Sequence, residues 1–422
     1  MNRVLMIAYH YPPFSGSSGV QRTLRFSQDL PAFNWQPSVL SAHPRAFERA
    51  SNDLLNDVPA GVDVQRAFAL DASRHLSVFK RYPGWIARPD RWISWLFGAL
   101  VTGFRMIRQH RPNIIWSTYP IATAHLIGYW LSRLSGIPWV ADFRDPMAHV
   151  GYPPDKATWD SYLSVEQKVF AQASRVVFTT PGAARLYAQR YMPQAHRIRI
   201  IENGYDEASF SNLALPTSQP ALNPGKFTLL HSGIVYPEWR DPKELFAALR
   251  RLIDTGAIDS DSIRVRFRAS GHPDFLTSLV ASHNLNDLVQ ILPPVGYRTA
   301  LAEMCAADGL LVLQSDDCND QIPAKVYEYL RAQKPILGIC GDAGDTADVL
   351  RQAGFKHLAP LEQSQRIGNA LVNFLHDIRN GATPSSNRKF VESASRRAKA
   401  GALADLFNEV QSEHASRKTA FA

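Results

Sequence analysis

The sequence predicts an α/β protein built from two parallel-sheet domains, and three observations support this. The chain has 422 residues, which is more than one ordinary domain holds. Short, continuously apolar runs alternate with longer segments at helical spacing, as in sheets that are covered on both faces. One such run opens the chain, from Arg3 to Ala8, and another, from Phe227 to Gly233, restarts the pattern after a Ser-, Pro- and Asn-rich stretch over 211–226.

The first half continues with alternating strand and helix signals. A glycine-containing loop over 11–19 follows the first strand, and apolar residues at helical spacing run from Val20 to Leu30. A strand, a glycine loop and a helix let backbone N–H groups approach an anion, although the G-x-G-x-x-G fingerprint is missing. Further strands are predicted at 36–41, 112–117, 139–141 and 175–178, with a helix from Ile121 to Ser135.

The segment with the most chemistry lies in the second half. A buried strand is predicted from Gly309 to Leu313 and another over 335–339, with a helix from Pro323 to Ala332 between them. The helix N-terminus would point out of the carboxyl edge of the sheet, where its partial positive charge favours a diphosphate. Lys325 adds a charge there, and Glu328 can accept hydrogen bonds from sugar or ribose hydroxyls.

Composition limits the class of protein further. The net charge of +8 suits an anionic partner such as a nucleotide or phospholipid headgroups, and no nucleic-acid module is present. The three cysteines show no CxxC spacing, which favours a reducing compartment over disulfides or a zinc site. No apolar run reaches the roughly 20 residues of a membrane span, and the N-terminus lacks a signal-peptide pattern. We therefore predict a cytoplasmic protein, peripheral on the inner face of the cell membrane.

The stretch over 74–111 is the basis for predicting that the protein contacts a membrane surface. It contains eight basic residues and one acidic residue, interleaved with aromatic ones. Basic residues with Trp and Phe on an amphipathic stretch are typical of a helix in the interface of an anionic membrane. The alternative is a core helix whose aromatic residues pack inward while the arginines are solvated. The interleaved aromatic residues are Trp85, Trp92, Trp95, Phe97 and Phe104.

The segment 320–337 resembles the acidic signature of the retaining GT-B glycosyltransferases of family 4. Asp320 and Glu328 form D-x7-E where that family has E-x7-E, and "KPILG" follows. "IENGYD", before Phe210, resembles the family's turn at the crossing between domains. The resemblance implies the GT-B fold, with two Rossmann-like domains facing across a cleft. It also implies that Glu328 grips donor hydroxyls and that Asp320 contacts the transferred sugar. A capped helix whose Asp and Glu are merely solvated is the alternative.

The resemblance also implies donor-binding positions in the second domain. The family places an Arg after the glycine that ends the first strand, but here Ile234 follows Gly233. Arg240, one residue displaced from the family's Lys, is the predicted diphosphate partner, together with Lys325. The loop around Val295 corresponds to the one that cups the base through its backbone. With two cations on the diphosphate no metal or other cofactor is required; the alternative is a metal bound by the aspartates at 316, 317 and 320.

Further positions are implied in the first domain. Gly16 and Gly19 would lie against the sugar diphosphate and the acceptor, although a plain tight turn is the alternative. "IPWVADFRDP" resembles a family segment with a histidine at the cleft, and that place falls to Arg144, with Asp145 beside it. These two could bind sugar hydroxyls or activate the acceptor hydroxyl. An internal salt link between Arg144 and an aspartate that fixes the loop is equally open.

The resulting prediction is a retaining glycosyltransferase. It would move a sugar from a UDP- or GDP-sugar to a hydroxyl of a lipid-linked saccharide, in surface polysaccharide or glycolipid synthesis. A non-hydrolysing nucleotide-sugar epimerase and a non-catalytic binding subunit of the same fold are the two alternatives. The predicted organisation is an acceptor-side domain at 1–206, a linker at 207–226, a nucleotide-sugar-binding domain at 227–389 and a terminal helix at 390–422 that returns to the first domain.

Overall fold

The computed structural model describes residues 1–15, 19–77, 79, 81–149, 151–211, 213, 222–381 and 387–420. The chain divides into two compact units. The first contains 1–203 and 396–422, and the second contains 204–395. Gly16, which the sequence placed at the donor, and residues 214–221 of the linker stretch lie outside the described residues.

The first unit is built on a seven-stranded parallel sheet in the order β3-β2-β1-β4-β5-β6-β7. The carboxyl ends of all seven strands therefore lie along one edge. The strands are β1 (Asn2–Ile7), β2 (Trp35–Ala42), β3 (Asp63–Ala67), β4 (Ile114–Thr118), β5 (Trp139–Arg144), β6 (Arg175–Phe178) and β7 (Ile198–Ile200). The helices before the crossing are α1 (Gly19–Asp29), α2 (Ala72–His75), α3 (Trp95–His110), α4 (Ala122–Ser135), α5 (Lys156–Gln172) and α6 (Pro181–Arg190).

The second unit repeats this plan with a six-stranded parallel sheet in the order β10-β9-β8-β11-β12-β13. Its strands are β8 (Phe227–Ser232), β9 (Ile263–Arg268), β10 (Val289–Leu292), β11 (Gly309–Leu313), β12 (Ile336–Ile339) and β13 (Leu358–Ala359). Its helices are α7 (Glu207–Ser211), α8 (Lys243–Asp254), α9 (Pro273–Ser282), α10 (Tyr297–Ala306), α11 (Ala324–Ala332), α12 (Asp345–Gln352), α13 (Ser364–Arg379) and α14 (Arg388–Ser393). The predicted α/β class with two parallel sheets is confirmed.

The last helix, α15 (Arg396–Ala420), belongs to the first unit and covers part of its sheet. The ring of Phe407 packs edge-on against Trp35 of β2, with centroids 5.1 Å apart. The indole N–H of Trp35 donates to the side chain of Asn408 at 3.1 Å. Arg175, at the start of β6, pairs with Glu409 at 2.7 Å. Apolar contacts and ion pairs thus fix this helix to the sheet.

A buried ion pair fixes α1 over the carboxyl edge of the first sheet. Arg22 of α1 donates from Nε and Nη2 to the two carboxylate oxygens of Asp142 in β5, both at 2.9 Å. The same guanidinium reaches the carbonyl oxygens of Ile201 and Glu202, and Thr118 donates to Asp142 at 2.9 Å. The internal salt link of the "DFRDP" segment is therefore made by Arg22 and Asp142.

The basic aromatic stretch is not one amphipathic helix. It forms α2, a short 3-10 helix over Gly84–Ala87, and α3. Trp95 is fully buried and Trp92 packs against Tyr9 with ring centroids 4.8 Å apart, so an interfacial position for these two rings is wrong. Trp85 and Phe97 do point outward, with 73% and 70% of their surfaces exposed. Within the described ranges, no helix combines the length and apolarity needed to cross a bilayer.

We expect Asp142→Ala to destabilise the first unit by about 3–5 kcal/mol, because it leaves the Arg22 charge buried without a counterion. Asp160→Ala is the control, since its pair with Lys156 is exposed and pairs of that kind contribute about 1 kcal/mol or less. Urea unfolding followed by tryptophan fluorescence measures both variants, because every tryptophan except Trp239 lies in the first unit. Equal losses in the two variants would contradict the role of the buried pair.

Candidate functional site

The end of β8 and the start of α11 meet at the carboxyl edge of the second sheet. Lys325, in the first turn of α11, places its Nζ 2.9 Å from Nε2 of His231 in β8. The ammonium also lies against Gly233, where a Cβ atom would stand 3.0 Å from Nζ. Gly233 has a φ of +116°, which L residues rarely adopt. The glycine therefore provides both the backbone conformation and the space that Lys325 occupies.

A buried tyrosine fixes α11 to β8. The hydroxyl of Tyr329, one turn beyond Lys325, accepts a hydrogen bond from the backbone N–H of Ser232 at 2.8 Å. Tyr329 is fully buried. Pro323 stands immediately before the helix, so the predicted helix is confirmed with its start at Ala324. Its N-terminus is thus held at the end of β8, as a helix-terminal anion site requires.

Arg240 lies on the loop between β8 and α8. Its Nη1 donates to the carbonyl oxygen of Ile234 at 3.0 Å, and its guanidinium lies 5.2 Å from the centroid of the Tyr236 ring. The backbone N–H of Ser315, after β11, donates to the carbonyl oxygen of Trp239 at 2.8 Å. These contacts hold the predicted phosphate-binding arginine at the same edge of the sheet as Lys325.

The two cations influence each other. Burial lowers the pKa of Lys325 well below its ordinary value, and the charge of Arg240 lowers it further, while Glu328 raises it. Burial also lowers the pKa of Arg240. In the part of the chain that the structure describes, neither cation makes a salt bridge. An anion at this edge would therefore relieve the repulsion between them.

Glu328 lies on α11, one turn after Lys325. Its Oε1 accepts a hydrogen bond from the hydroxyl of Tyr297 at 2.8 Å. Tyr297 begins α10 and is partly exposed, and the sequence analysis missed it because the two residues come from different helices. An ionised carboxylate has about four acceptor positions, so Glu328 keeps the capacity to bind hydroxyls while Tyr297 orients it.

Asp320 lies exposed on the loop between β11 and α11. Gln314, at the end of β11, donates from its side-chain amide to the carbonyl oxygen of Gln321 at 2.9 Å. Thr346 of α12 donates to the same oxygen at 2.9 Å. The loop that carries Asp320 is therefore fixed at its base. Val295, the predicted base-contacting position, is exposed on the loop between β10 and α10.

The first unit brings three of the predicted residues together at its own carboxyl edge. Arg144 ends β5 with a φ of +63°, and its Nη1 donates to the carbonyl oxygens of Gly19 at 3.2 Å and Tyr119 at 3.3 Å. Asp145 follows and is exposed, with its backbone N–H donating to the carbonyl oxygen of Phe143 at 2.7 Å. The Arg144 guanidinium thus fixes the start of α1. Asp145 is an exposed residue as a whole, but the groups around its carboxyl exclude enough water to raise the pKa of that carboxyl above its usual range.

A histidine that the sequence analysis passed over lies at the same edge. His10 follows β1, is buried, and stacks on Phe14 with ring centroids 4.2 Å apart. Its Nδ1 has no hydrogen-bond partner among the described residues. Burial, with the Arg144 charge as the second cause, lowers the pKa of His10 to about 3. The imidazole is therefore neutral at physiological pH. The one feature of the sequence that could have identified His10 is its position directly after a buried strand.

Potential metal ligands are scattered in the described part of the chain. No group of three or more His, Cys, Asp or Glu side chains there is arranged to hold a metal ion. Asp316, Asp317 and Asp320 are all exposed.

Comparison with known proteins identifies the class of the chain. Residues 18–204 match the family model described as a glycosyl transferase 4-like domain. The D-inositol 3-phosphate glycosyltransferase of Geodermatophilus obscurus is 26% identical over 274 residues, which cover 57% of this chain and 59% of that protein. The chain thus spans about three fifths of the length of this relative.

Solved structures match almost the entire chain. Sucrose-phosphate synthase from Thermosynechococcus elongatus has a TM-score of 0.66 at 15% identity, over 98% of this chain and 100% of that one. Anabaena HepE in complex with UDP has a TM-score of 0.61 at 14% identity, over 100% of both chains. The two parallel-sheet units are those of the GT-B fold. The match over 18–204 to a glycosyl transferase 4-like domain confirms the predicted resemblance to the family 4-like glycosyltransferases.

We expect the neutral state of His10 to make the first unit sensitive to acid. Its pKa in the folded state, about 3, lies below the value of 6.5 in an unfolded chain, so the unfolded state binds the proton more readily. The free energy of unfolding should therefore fall as the pH drops from 6.5 towards 3, by up to roughly 1.4 kcal/mol per pH unit from this group.

Urea titrations at several pH values, followed by tryptophan fluorescence, measure this slope. His10→Asn should make it less steep, because asparagine does not titrate; His125 of the same unit, whose pKa burial also lowers to about 3, keeps its own contribution. His196→Asn is the control, since His196 is exposed on the same unit. The same slope in His10→Asn and in the unsubstituted protein would contradict the prediction.

Proposed function

We propose that the chain is a retaining glycosyltransferase that moves a sugar from a UDP- or GDP-sugar to a hydroxyl of a lipid-linked saccharide, in surface polysaccharide or glycolipid synthesis. One observation carries the proposal: Lys325 and Arg240 lie at one edge of the second sheet, beside the N-terminus of α11, and neither makes a salt bridge with a described carboxylate. This combination of charges fits a diphosphate.

In this proposal the two cations hold the donor diphosphate. Arg240 can bind two phosphate oxygens through its planar guanidinium, while Lys325 contributes a compact charge. As the bond to the sugar breaks, negative charge develops on the departing nucleoside diphosphate. Cations that are already in place stabilise that charge more in the transition state than in the ground state, which accelerates the reaction.

The sugar would be held by acidic side chains. Glu328, oriented by Tyr297, would accept hydrogen bonds from donor hydroxyls, and Asp320 would contact the transferred sugar. Arg144 and Asp145 of the first unit would bind hydroxyls of the acceptor. Because charge neutralisation would come from Lys325 and Arg240, we propose that transfer needs no metal ion or other cofactor.

The comparisons support a nucleotide donor. HepE was crystallised with UDP and with UDP-glucose, and it shares the fold of this chain. The match of residues 18–204 to a glycosyl transferase domain favours transfer over the alternatives of a nucleotide-sugar epimerase or a binding subunit. An epimerase would change the free nucleotide sugar without releasing UDP or GDP, whereas a binding subunit would leave the donor unchanged.

Purified protein should therefore release UDP or GDP from one member of a nucleotide-sugar panel when membrane lipid extract supplies the acceptor. We expect Arg240→Gln and Glu328→Gln each to lower kcat/KM at least about a hundredfold, because each removes a charged contact to the donor, worth about 3 kcal/mol in the transition state. NMR of the anomeric proton in the product tests retention.

Arg388→Gln is the matched control, since Arg388 is an exposed arginine of the same unit whose one ion-pair partner among the described residues is Glu392 of its own helix. Activity after dialysis against EDTA tests the absence of a metal. Wild-type activity in both Arg240→Gln and Glu328→Gln would overturn the assignment, and a new sugar without UDP or GDP release would favour the epimerase.

We further propose that the outer face of α3 binds an anionic lipid surface. Phe97, Val101, Arg105 and Arg108 are exposed at spacings of four, four and three residues, so they form one stripe along the helix. Neither arginine has a hydrogen bond or ion pair with another described residue. Apolar side chains beside unpaired arginines fit acyl chains beside anionic headgroups.

We expect the double variant Phe97→Ser, Val101→Ser to bind phosphatidylserine-containing vesicles about tenfold more weakly than the unsubstituted protein, because it removes the apolar part of the stripe. Vesicle co-sedimentation measures this. Leu134→Ser, an exposed apolar position on α4, is the control. Equal binding to vesicles of phosphatidylcholine alone, or an equal loss in the control, would contradict the proposal.

A further inference from the structure

We propose that His231 positions Lys325 for the donor diphosphate by accepting a hydrogen bond from its ammonium, as a neutral imidazole with its proton on Nδ1. This inference rests on the proposed function, because it assigns a supporting residue to the same site. His231 itself would not touch the donor, since it is fully buried in β8.

The tautomer follows from the two partners of the ring. Nδ1 lies 3.0 Å from the carbonyl oxygen of Leu311 in the neighbouring strand β11. A carbonyl oxygen can only accept, so Nδ1 must carry the proton. Nε2 then has a free lone pair, and Nζ of Lys325 lies 2.9 Å from it. The ammonium donates one hydrogen there and keeps two for phosphate oxygens.

The surroundings keep this histidine neutral. The ring packs against Phe267 of β9 with centroids 5.7 Å apart. Burial lowers the pKa of His231 well below its ordinary value, and the charges of Lys325 and then Arg240 act in the same direction. Backbone hydrogen bonds to Leu311 and Ile234 act in the opposite direction but do not outweigh these causes. Glu328 is the carboxylate that acts on Lys325 from α11. A second proton, on Nε2 in addition to Nδ1, would place a third positive charge beside two partly buried cations, so Nε2 stays an acceptor.

The position of Lys325 depends on this acceptor. His231 is the sole hydrogen-bond partner of the Lys325 side chain among the described residues. A lysine side chain loses up to about 2 kcal/mol of conformational entropy when it is fixed in one rotamer. The bond to His231, together with the space at Gly233, fixes the ammonium before the donor arrives, which lowers the cost of binding.

Two substitutions of His231 test the two hydrogen bonds of its ring separately. The side-chain amide nitrogen of asparagine occupies nearly the place of Nδ1, so His231→Asn keeps the bond to Leu311 and removes the acceptor for Lys325. The side-chain oxygen of glutamine reaches the place of Nε2, so His231→Gln keeps the acceptor for Lys325 and loses the bond to Leu311. Chemical denaturation gives the stability of each variant.

We expect His231→Asn to raise the Kd for UDP or GDP, whichever the unsubstituted protein binds, about tenfold in calorimetry. His231→Gln should stay within about threefold. In a Lys325→Met background, His231→Asn should have no further effect on the Kd, because the residue that it positions is gone. The ¹⁵N spectrum of the unsubstituted protein should show a histidine with the proton on Nδ1, which requires no variant.

Other results would overturn the inference. A purely structural histidine would give the same loss of affinity with and without Lys325, or a Kd that follows stability rather than the acceptor at Nε2. A spectrum that places the proton of His231 on Nε2 would overturn it as well. If the unsubstituted protein binds neither UDP nor GDP, the proposed function fails, whereas normal binding by His231→Asn defeats only the role of His231.

Discussion

Two neighbouring cations that make no salt bridge with any described residue are the constraint on which the second unit depends. Holding Lys325 and Arg240 close together costs free energy, and the surrounding structure offsets this with Tyr236 under the guanidinium and His231 at the ammonium. The arrangement is stable enough to fold but electrostatically incomplete, which is typical of sites that a ligand completes. An uncharged residue in place of Lys325 would remove the repulsion and stabilise the fold, but it would bind a diphosphate less well.

The first unit also holds a positive charge near the carboxyl edge of its sheet, but there the charge is paired within the fold. Its buried arginine, Arg22, is paired with Asp142 and directs four of its five N–H groups to that carboxylate and to two backbone carbonyl groups. These bonds fix α1. The nearby residues that remain available are Asp145, which is exposed, and the neutral ring of His10. One unit thus presents positive charge at its carboxyl edge, while the other presents groups suited to hydroxyls.

Features of the candidate site that depend on neighbouring residues could be predicted from the sequence. Contacts between residues far apart in the sequence could not. The helix after Pro323 and the place of Lys325 follow from a pattern of about fifteen residues. The partner of Lys325 is 94 positions away, and Tyr297 is 31 positions from Glu328. Such pairs depend on the order of strands in the sheet, which single-sequence patterns do not fix.

The aromatic stretch shows a second limit. Composition marked Trp85, Trp92, Trp95 and Phe97 alike. Only packing separates Trp95, which is fully buried, and Trp92, which is partly buried against Tyr9, from the two exposed rings. Trp95 lies on α3 two residues before Phe97, so the helix turns them in different directions. An amphipathic pattern indicates that a segment is helical. Which of its side chains are buried depends on the residues that pack against it, such as Tyr9.

The position of α15 affects how the chain matures during synthesis. The sheet of the first unit is encoded almost entirely before residue 204, yet one of its covering helices comes from residues beyond 395. The apolar surface around Trp35 therefore stays uncovered on the ribosome while the whole second unit is translated, about 10–40 s at ordinary elongation rates. Chaperones that recognise nascent apolar segments have that interval in which to act, and a premature stop within α15 would leave the surface permanently bare.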